Sequence, residues 1–262
     1  MSNLIASENS HGAGKKAIHV NPITRVIDDI NKIFFEMGFT LIDGPELETE
    51  YYNFDALNVP KDHPARDMQD TFWIKPNKDF SGTERKLLST QTSAMQIHFM
   101  EKNKPPIAIF CPGVVYRNEA TDATHEIQFP QFEILFIDKD VSMVTLKSVI
   151  NKFLSAFFEK EVKTRFRPSY FPFVEPGAEV DASCFKCNGG EAGCSICKGT
   201  GWIELGGAGL VHPKVLNQVG INPNEWRGFA FGLGVGRFAM LKYGIDDGRL
   251  FNSGDLRFIN QF

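Results

Sequence analysis

Over residues 127–137 the sequence alternates, and that alternation limits what the chain can fold into. Phe132, Ile134 and Phe136 share one face of a strand, while Phe129, Gln131 and Glu133 share the other. Such a strand must lie in a sheet whose core covers the apolar face. Its opposite face then holds a carboxylate and an amide beside an aromatic ring. Two helical periodicities flank it. In the first, Asn21 is placed to cap a helix and Pro22 to open it. Apolar residues follow at 23, 26, 27, 30, 33, 34 and 37, and Gly38 stops the run. The second has apolar residues at 146, 149, 150, 153, 154, 157 and 158. A shorter helix is expected at 93–101, and strands at 39–42, 71–74, 107–110 and 114–117. The Cys111, Pro112 and Gly113 run reads as a turn between the last two strands, and 51–70 as a long irregular loop. Long helices standing apart from clustered strands predict an α+β fold with a mainly antiparallel sheet.

No run of about 18 apolar residues exists, so no membrane span is expected. The first 20 residues carry neither a signal-peptide core nor a transit-peptide pattern; they read as a flexible leader, and the protein as cytoplasmic. A composition 42% hydrophobic and 23% charged excludes a disordered chain. The net charge of −4 speaks against nucleic-acid binding by the surface as a whole, although 143–170 is locally basic.

Three patterns carry chemistry. The segment GFAFGLGVGRFAML at 228–241 is no dinucleotide fingerprint, because Arg237 takes the place of the third glycine. It is no phosphate loop either, since no Gly-Lys-Ser/Thr follows. Glycines 232, 234 and 236 would bare one face of a strand, for a planar ligand beside Arg237 or for a closely packed helix. In VYRNEATDATHEIQFPQFE at 115–133, Arg117 leaves one strand, His125 lies in the loop and Phe129 returns on the next. Such a hairpin can hold a phosphate and stack a base. Finally, six residues separate the pair Cys184 and Cys187 from the pair Cys194 and Cys197, two knuckles that favour metal over disulfides or free thiols. Glycines 189, 190 and 193 let the loop close around a tetrahedral zinc, and Cys111 is left over as a buried thiol.

Together the hairpin and the glycine segment resemble motifs 2 and 3 of the class II aminoacyl-tRNA synthetases. More narrowly, the chain resembles the catalytic α subunits of bacterial phenylalanyl-tRNA synthetases, from NPIT at 21–24 to DLRFINQF at 255–262. YYNFDALN at 51–58, HPARDMQDTFW at 63–73, TQTS at 90–93 and YFPFVEP at 170–176 add to the likeness. The resemblance implies a class II antiparallel sheet flanked by helices over 21–262, with the four-cysteine insertion at 184–197. It implies activation of phenylalanine with ATP and Mg²⁺ and transfer to tRNA(Phe), in an (αβ)₂ heterotetramer with a β subunit.

By the same resemblance Arg117 and Arg237 are catalytic. Arg117, Glu119, His125, Phe129, Gly234 and Arg237 bind ATP; Gln91, Ser93, Gln131, Glu133, Phe171, Phe173, Val174 and Ala230 bind the amino acid. Glu175 and Glu204 are the magnesium carboxylates, Glu175 near the partner subunit. The family's α subunits also carry an N-terminal helical arm, which nothing before Asn21 would form. Gly236 departs from the motif, which has glutamate before its arginine. A catalytically weak binding module on this scaffold stays open on that account, as does, separately, a synthetase-like paralogue that activates an amino acid for a non-tRNA acceptor.

Overall fold

The computed structural model describes residues 19–66, 71–75, 84–122, 125–185, 187, 190, 192–194 and 196–262. Most of the expected leader, the end of the 51–70 loop and Gly189 lie outside them. Helix α1 (Pro22–Glu36) forms as its sequence asks. Asn21 Oδ1 accepts from Ile23 N at 2.9 Å, Pro22 needs no partner, and Gly38 leaves the helix at φ +86°. Val26, Ile30 and Phe34, spaced by four, are buried on one stripe.

Strands β1 (Thr40–Leu41), β4 (Ile107–Tyr116), β5 (Gln128–Asp138), β6 (Thr164–Pro168), β7 (Val174–Ser183), β8 (Trp202–Val211) and β9 (Arg227–Gly234) make one sheet. Its order is β1-β4-β5-β9-β8-β7-β6, antiparallel throughout except where β1 meets β4. Strands β2 (Leu47–Thr49) and β3 (Lys86–Leu88) pair separately. Helices α2 (Ala94–Lys102), α3 (Met143–Phe158), α4 (Pro213–Gln218), α5 (Val235–Tyr243) and α6 (Leu256–Ile259) are the other α-helices among the described residues. A capping box between Ser142 and Thr145 starts α3 three residues before its first periodic position.

Helices α1, α3 and α5 cover one face of the sheet. There Phe34 stacks on Phe153 at 4.9 Å, and Phe132 meets Phe238 edge-on at 5.7 Å. Each of these buried rings contributes roughly 1.5–3 kcal/mol over an exposed one. The opposite face of β5 carries Leu135 and Ile137 into a second core with Phe54, Leu57 and Ile97. The alternation from 127 to 137 thus separates two cores, with Glu133 at the boundary of the second.

Several local expectations change. Residues 111–113 are no turn: β4 runs unbroken, with Pro112 paired to Phe132. Phe110 O accepts from Ile42 N, and Tyr116 N donates to Ser89 O, so even-numbered residues of β4 face away from β5. Pro112 therefore lacks its N–H on the side where β1 has already ended, a place in which a strand tolerates proline. The strand expected at 71–74 reduces to a bridge between Trp73 and Leu87. The loop from 51 opens with a π-helical turn (Tyr51–Asp55) and holds a 3₁₀ turn (Pro64–Arg66). Gly236 belongs to the first turn of α5 and not to a strand.

Candidate active site

Strands β5, β9 and β8 floor a cavity of about 860 Å³. Across them Glu133 pairs with Gly232, and Gly232 with Gly207. A methyl on Gly232 would lie 2.5 Å from Glu133 Oε2, and one on Gly207 2.9 Å from Phe171 Cζ. Gly234 has nothing within 4 Å of such a methyl and opens onto the cavity. The bare strip thus serves the site: a carboxylate and a ring lean over two of its glycines, and the third gives open floor. Gly207, in the run 206–209, escaped sequence reading because no spacing marks it.

Glu133 is almost completely buried. It accepts from Gln96 Nε2 at 2.6 Å, Ser93 Oγ at 3.0 Å and Thr92 Oγ1 at 3.1 Å. Burial pushes its carboxyl up to about 7, against the pull of these three donors. Ser93 stands where a helix cap belongs, yet its hydroxyl goes to Glu133 instead of to the helix. Gln131 Oε1 accepts from Thr92 N and Thr92 Oγ1, both at 3.3 Å, and Gln91 Nε2 donates to Asn53 O at 3.1 Å. Thr92 and Gln96 were missed by sequence reading. Only their position beside Ser93 on one loop and helix could have pointed to them.

Phe171 and Phe173 stack with centroids 6.0 Å apart, and with Val174 and Ala230 they line the same cavity. Asn58 Nδ2 holds their loop by Pro172 O at 2.6 Å. Phe129 and Gln131 follow Glu133 back along one face of β5. Four residues of strand separate Phe129 from Glu133 by about 13 Å, so the cavity is elongated along β5. Arg117, Glu119, His125, Phe129 and Arg237 line it as well. The Arg117 guanidinium lies 5.3 Å from the Phe129 centroid, and His125 Nδ1 lies 3.0 Å from both Asp122 carboxylate oxygens. Arg237 sits in the first turn of α5, directly after the open floor at Gly234.

The two expected magnesium carboxylates are apart. Glu204 lines the cavity and accepts from Arg167 Nη2 at 3.1 Å. Glu175 is exposed outside the cavity lining and pairs with His212 Nε2 at 3.2 Å. Behind Glu204, buried Asp181 takes bonds from both Arg165 and Arg167. Burial opposes its ionisation, but the hydrogen bonds from Arg167 and Arg165 outweigh that and hold its carboxyl below the usual range. The arginines of the basic stretch are thus already paired.

The four cysteine sulfurs lie within 4.8 Å of one another, with Cys184 to Cys194 at 3.8 Å and Cys187 to Cys197 at 3.5 Å. Four thiolates at ~2.3 Å from a tetrahedral zinc would stand about 3.8 Å apart, so the cluster fits that ion. Gly190 N donates to Cys187 Sγ at 3.3 Å, with Gly190 and Gly193 at φ +93° and +89°. Among the described residues no other group of three or more His, Cys, Asp or Glu has this geometry.

The chain matches the sequence model of the class II core domain of tRNA synthetases (F) over residues 8–262. It is 54% identical over 244 residues to the phenylalanine–tRNA ligase alpha subunit of Caldanaerobacter subterraneus subsp. tengcongensis, covering 93% of this chain and 69% of that one. The alpha subunit of the same ligase from Bacillus subtilis is 54% identical over 244 residues, covering 92% and 68%. That from Clostridium perfringens is 53% identical over 249 residues, covering 95% and 69%. In fold, the chain is similar to the pyrrolysyl-tRNA synthetase of Desulfitobacterium hafniense, with a TM-score of 0.64, 16% identity and coverage of 89% and 74%.

Proposed function

This chain belongs to the class II tRNA synthetase core family, and from that membership we propose that it is a phenylalanine–tRNA ligase α subunit. It activates phenylalanine with ATP and passes the acyl group to the 3′ end of tRNA(Phe). The observation that best supports this reading is the order of groups in one cavity. A caged, buried carboxylate stands across a glycine floor from an aromatic slot, and in line along β5 with a ring that has Arg117 beside it.

Glu133 receives the ammonium of phenylalanine, whose charge drives the carboxyl to ionise. Gln91, Ser93 and Gln131 hold the remaining polar groups of the amino acid. The phenyl ring enters between Phe171, Phe173, Val174 and Ala230, where aromatic pairs contribute roughly 0.5–1.5 kcal/mol beyond area burial. Ala230 leaves room for a ring and none for a hydroxyl. Adenine lies over Gly234 between Phe129 and Arg237, a stacking role that a planar guanidinium fills and an ammonium does not. Glu119 meets the adenine edge, Arg117 the α-phosphate and His125 the outer phosphates.

With both substrates held, a carboxylate oxygen of phenylalanine attacks the α-phosphorus in line, and pyrophosphate leaves. A terminal ribose hydroxyl of tRNA, expected to be the 2′-OH, then attacks the carbonyl carbon of the adenylate, and AMP leaves. No protein nucleophile is needed; positioning and the charges of Arg117 and Arg237 lower the barrier. ATP-bound magnesium would offset phosphate charge, and Glu204 is the cavity carboxylate suited to hold it. Glu175 would hold a separate cation outside the cavity, and the four cysteines a structural zinc. The partner is a β subunit, in an (αβ)₂ assembly in the cytoplasm. No helix among the described residues is long and apolar enough to cross a membrane.

Amino-acid-dependent exchange of pyrophosphate into ATP, run with a candidate β subunit, tests the reading. Exchange should require phenylalanine. Dependence on a different amino acid, or no exchange in the complete assembly, would overturn it.

A further inference from the structure

The segment YYNFDALN at 51–58 has no part in the reaction as described, yet it packs against the loop at the amino-acid end of the cavity. Its π-helical turn widens the backbone spiral, with Ala56 N bonded to Tyr51 O at 2.9 Å. Leu57 N and Asn58 N then bond to Phe54 O and Asp55 O, both at 3.1 Å. Asn53 O is left for a partner outside the turn, and Gln91 Nε2 supplies it at 3.1 Å. The Asn53 side chain is fully buried. Its Oδ1 accepts from Thr90 N at 3.1 Å, and its Nδ2 donates to Thr90 Oγ1 at 2.9 Å. Because a backbone N–H can only donate, the amide orientation is fixed.

We propose that Asn53 is a positioning residue for amino-acid recognition, fastening Thr90 and Gln91 so that Thr92 and Ser93, next along the same loop, meet their partners on β5. The inference rests on the functional reading above. Asparagine suits the task because one planar group offers a donor and an acceptor together. Aspartate would bury a charge there, and glutamine is a methylene longer. The turn is itself braced from outside: Arg66 donates to Asp55 Oδ1 at 2.7 Å and to Glu50 Oε1 at 3.3 Å. The loop therefore takes its place from a buried amide on a fastened turn, while Glu133 and Gln131 take theirs from the sheet.

The test uses the α chain assembled with its β subunit. Asn53→Ala should raise the KM for phenylalanine about tenfold and leave the KM for ATP within about twofold, since the loop touches one substrate only. Thr90→Val, which removes one clamp bond, should give a smaller rise in the same KM, and Thr90→Ser should restore it. The double variant should be no worse than Asn53→Ala alone, because both break one unit. Equal changes in both KM values, or none in either, would overturn the proposal. Should Asn53→Ala fail to fold, the Thr90→Val and Thr90→Ser pair decides. Amide hydrogen exchange across 90–93 gives an answer independent of substrate. It should quicken in Asn53→Ala, and unchanged protection would overturn the anchoring even if phenylalanine proved to be the wrong substrate.

Discussion

Burial of Glu133 couples stability to pH. Its folded carboxyl titrates near 7 against an ordinary 4.5, so the folded state holds the proton more firmly. Stability is full below the ordinary value and falls as pH rises from there to about 7. The shift corresponds to a penalty of about 3 kcal/mol above that pH. Glu133→Gln should therefore raise Tm at pH 8, leave it nearly unchanged at pH 4, and weaken phenylalanine binding at least about 100-fold, since no carboxylate meets the ammonium. Differential scanning calorimetry at both pH values checks the first part; an equal gain at both would contradict it. Gly236 offers the opposite experiment. A methyl there meets nothing nearer than Phe251 Cε2 at 3.9 Å, and the position lies in the first turn of α5. Gly236→Glu has room at its Cβ, favours the helix by roughly 0.5–1 kcal/mol and adds an acid at its positive end. A Tm rise of about 1–3 °C and faster exchange are expected, because the new carboxylate can orient Arg237. Slower exchange would show that this chain has adapted to glycine. At this scale, alternation pointed to Glu133 and Gln131, and motif to Arg117 and Arg237, all of which line the same cavity. The sequence hid Thr92, Gln96 and Asn53, whose parts depend on contacts spanning 37–41 positions.

Elements were readable where one periodicity acted alone, as in α1 and α3, and misread where a local signal met a tertiary one. Pro112 and Gly113 look like a turn, but pairing with β5 from Ile107 to Tyr116 holds that segment straight. The polar residues after 51 look like loop, yet Asn53 is buried by its clamp and Arg66 by Asp55 and Glu50. The turn joining β7 to β8 shows how an element can depend on a side-chain cluster. Cys184, Cys194 and Cys197 pack into the same core as α3 and α5, and Phe158 lies against Phe185 at 4.1 Å. Plasma-emission analysis of reduced protein should find one zinc per chain. Removing it with a chelator, or by Cys197→Ser, should lower Tm by about 5–10 °C while leaving α1 folded. Metal-free protein with an unchanged Tm would remove zinc from the account.

For the whole molecule, the net charge is −4, and Arg165 and Arg167 of the basic stretch are already paired with Asp181. The isolated chain should bind tRNA only in the roughly 10⁻⁴–10⁻⁶ M range of non-specific contacts at physiological salt. Tight binding that survived added salt in a filter assay would contradict this. The sheet order carries another consequence. β9 lies between β5 and β8, and so joins a half built from β1, β4 and β5 to a half built from β6, β7 and β8. During synthesis each half must wait with an unpaired edge until residues 227–234 emerge. A nascent chain halted before that point lacks the middle strand of the cavity floor, because Ala230, Gly232 and Gly234 have not been made. Fragments from stalled ribosomes could then neither consume ATP nor occupy amino acid, and their two open edges would mark them for aggregation or removal. Completion of the sheet therefore comes first in translation, and activity only later, once Arg237 and the cavity residues after it have been made.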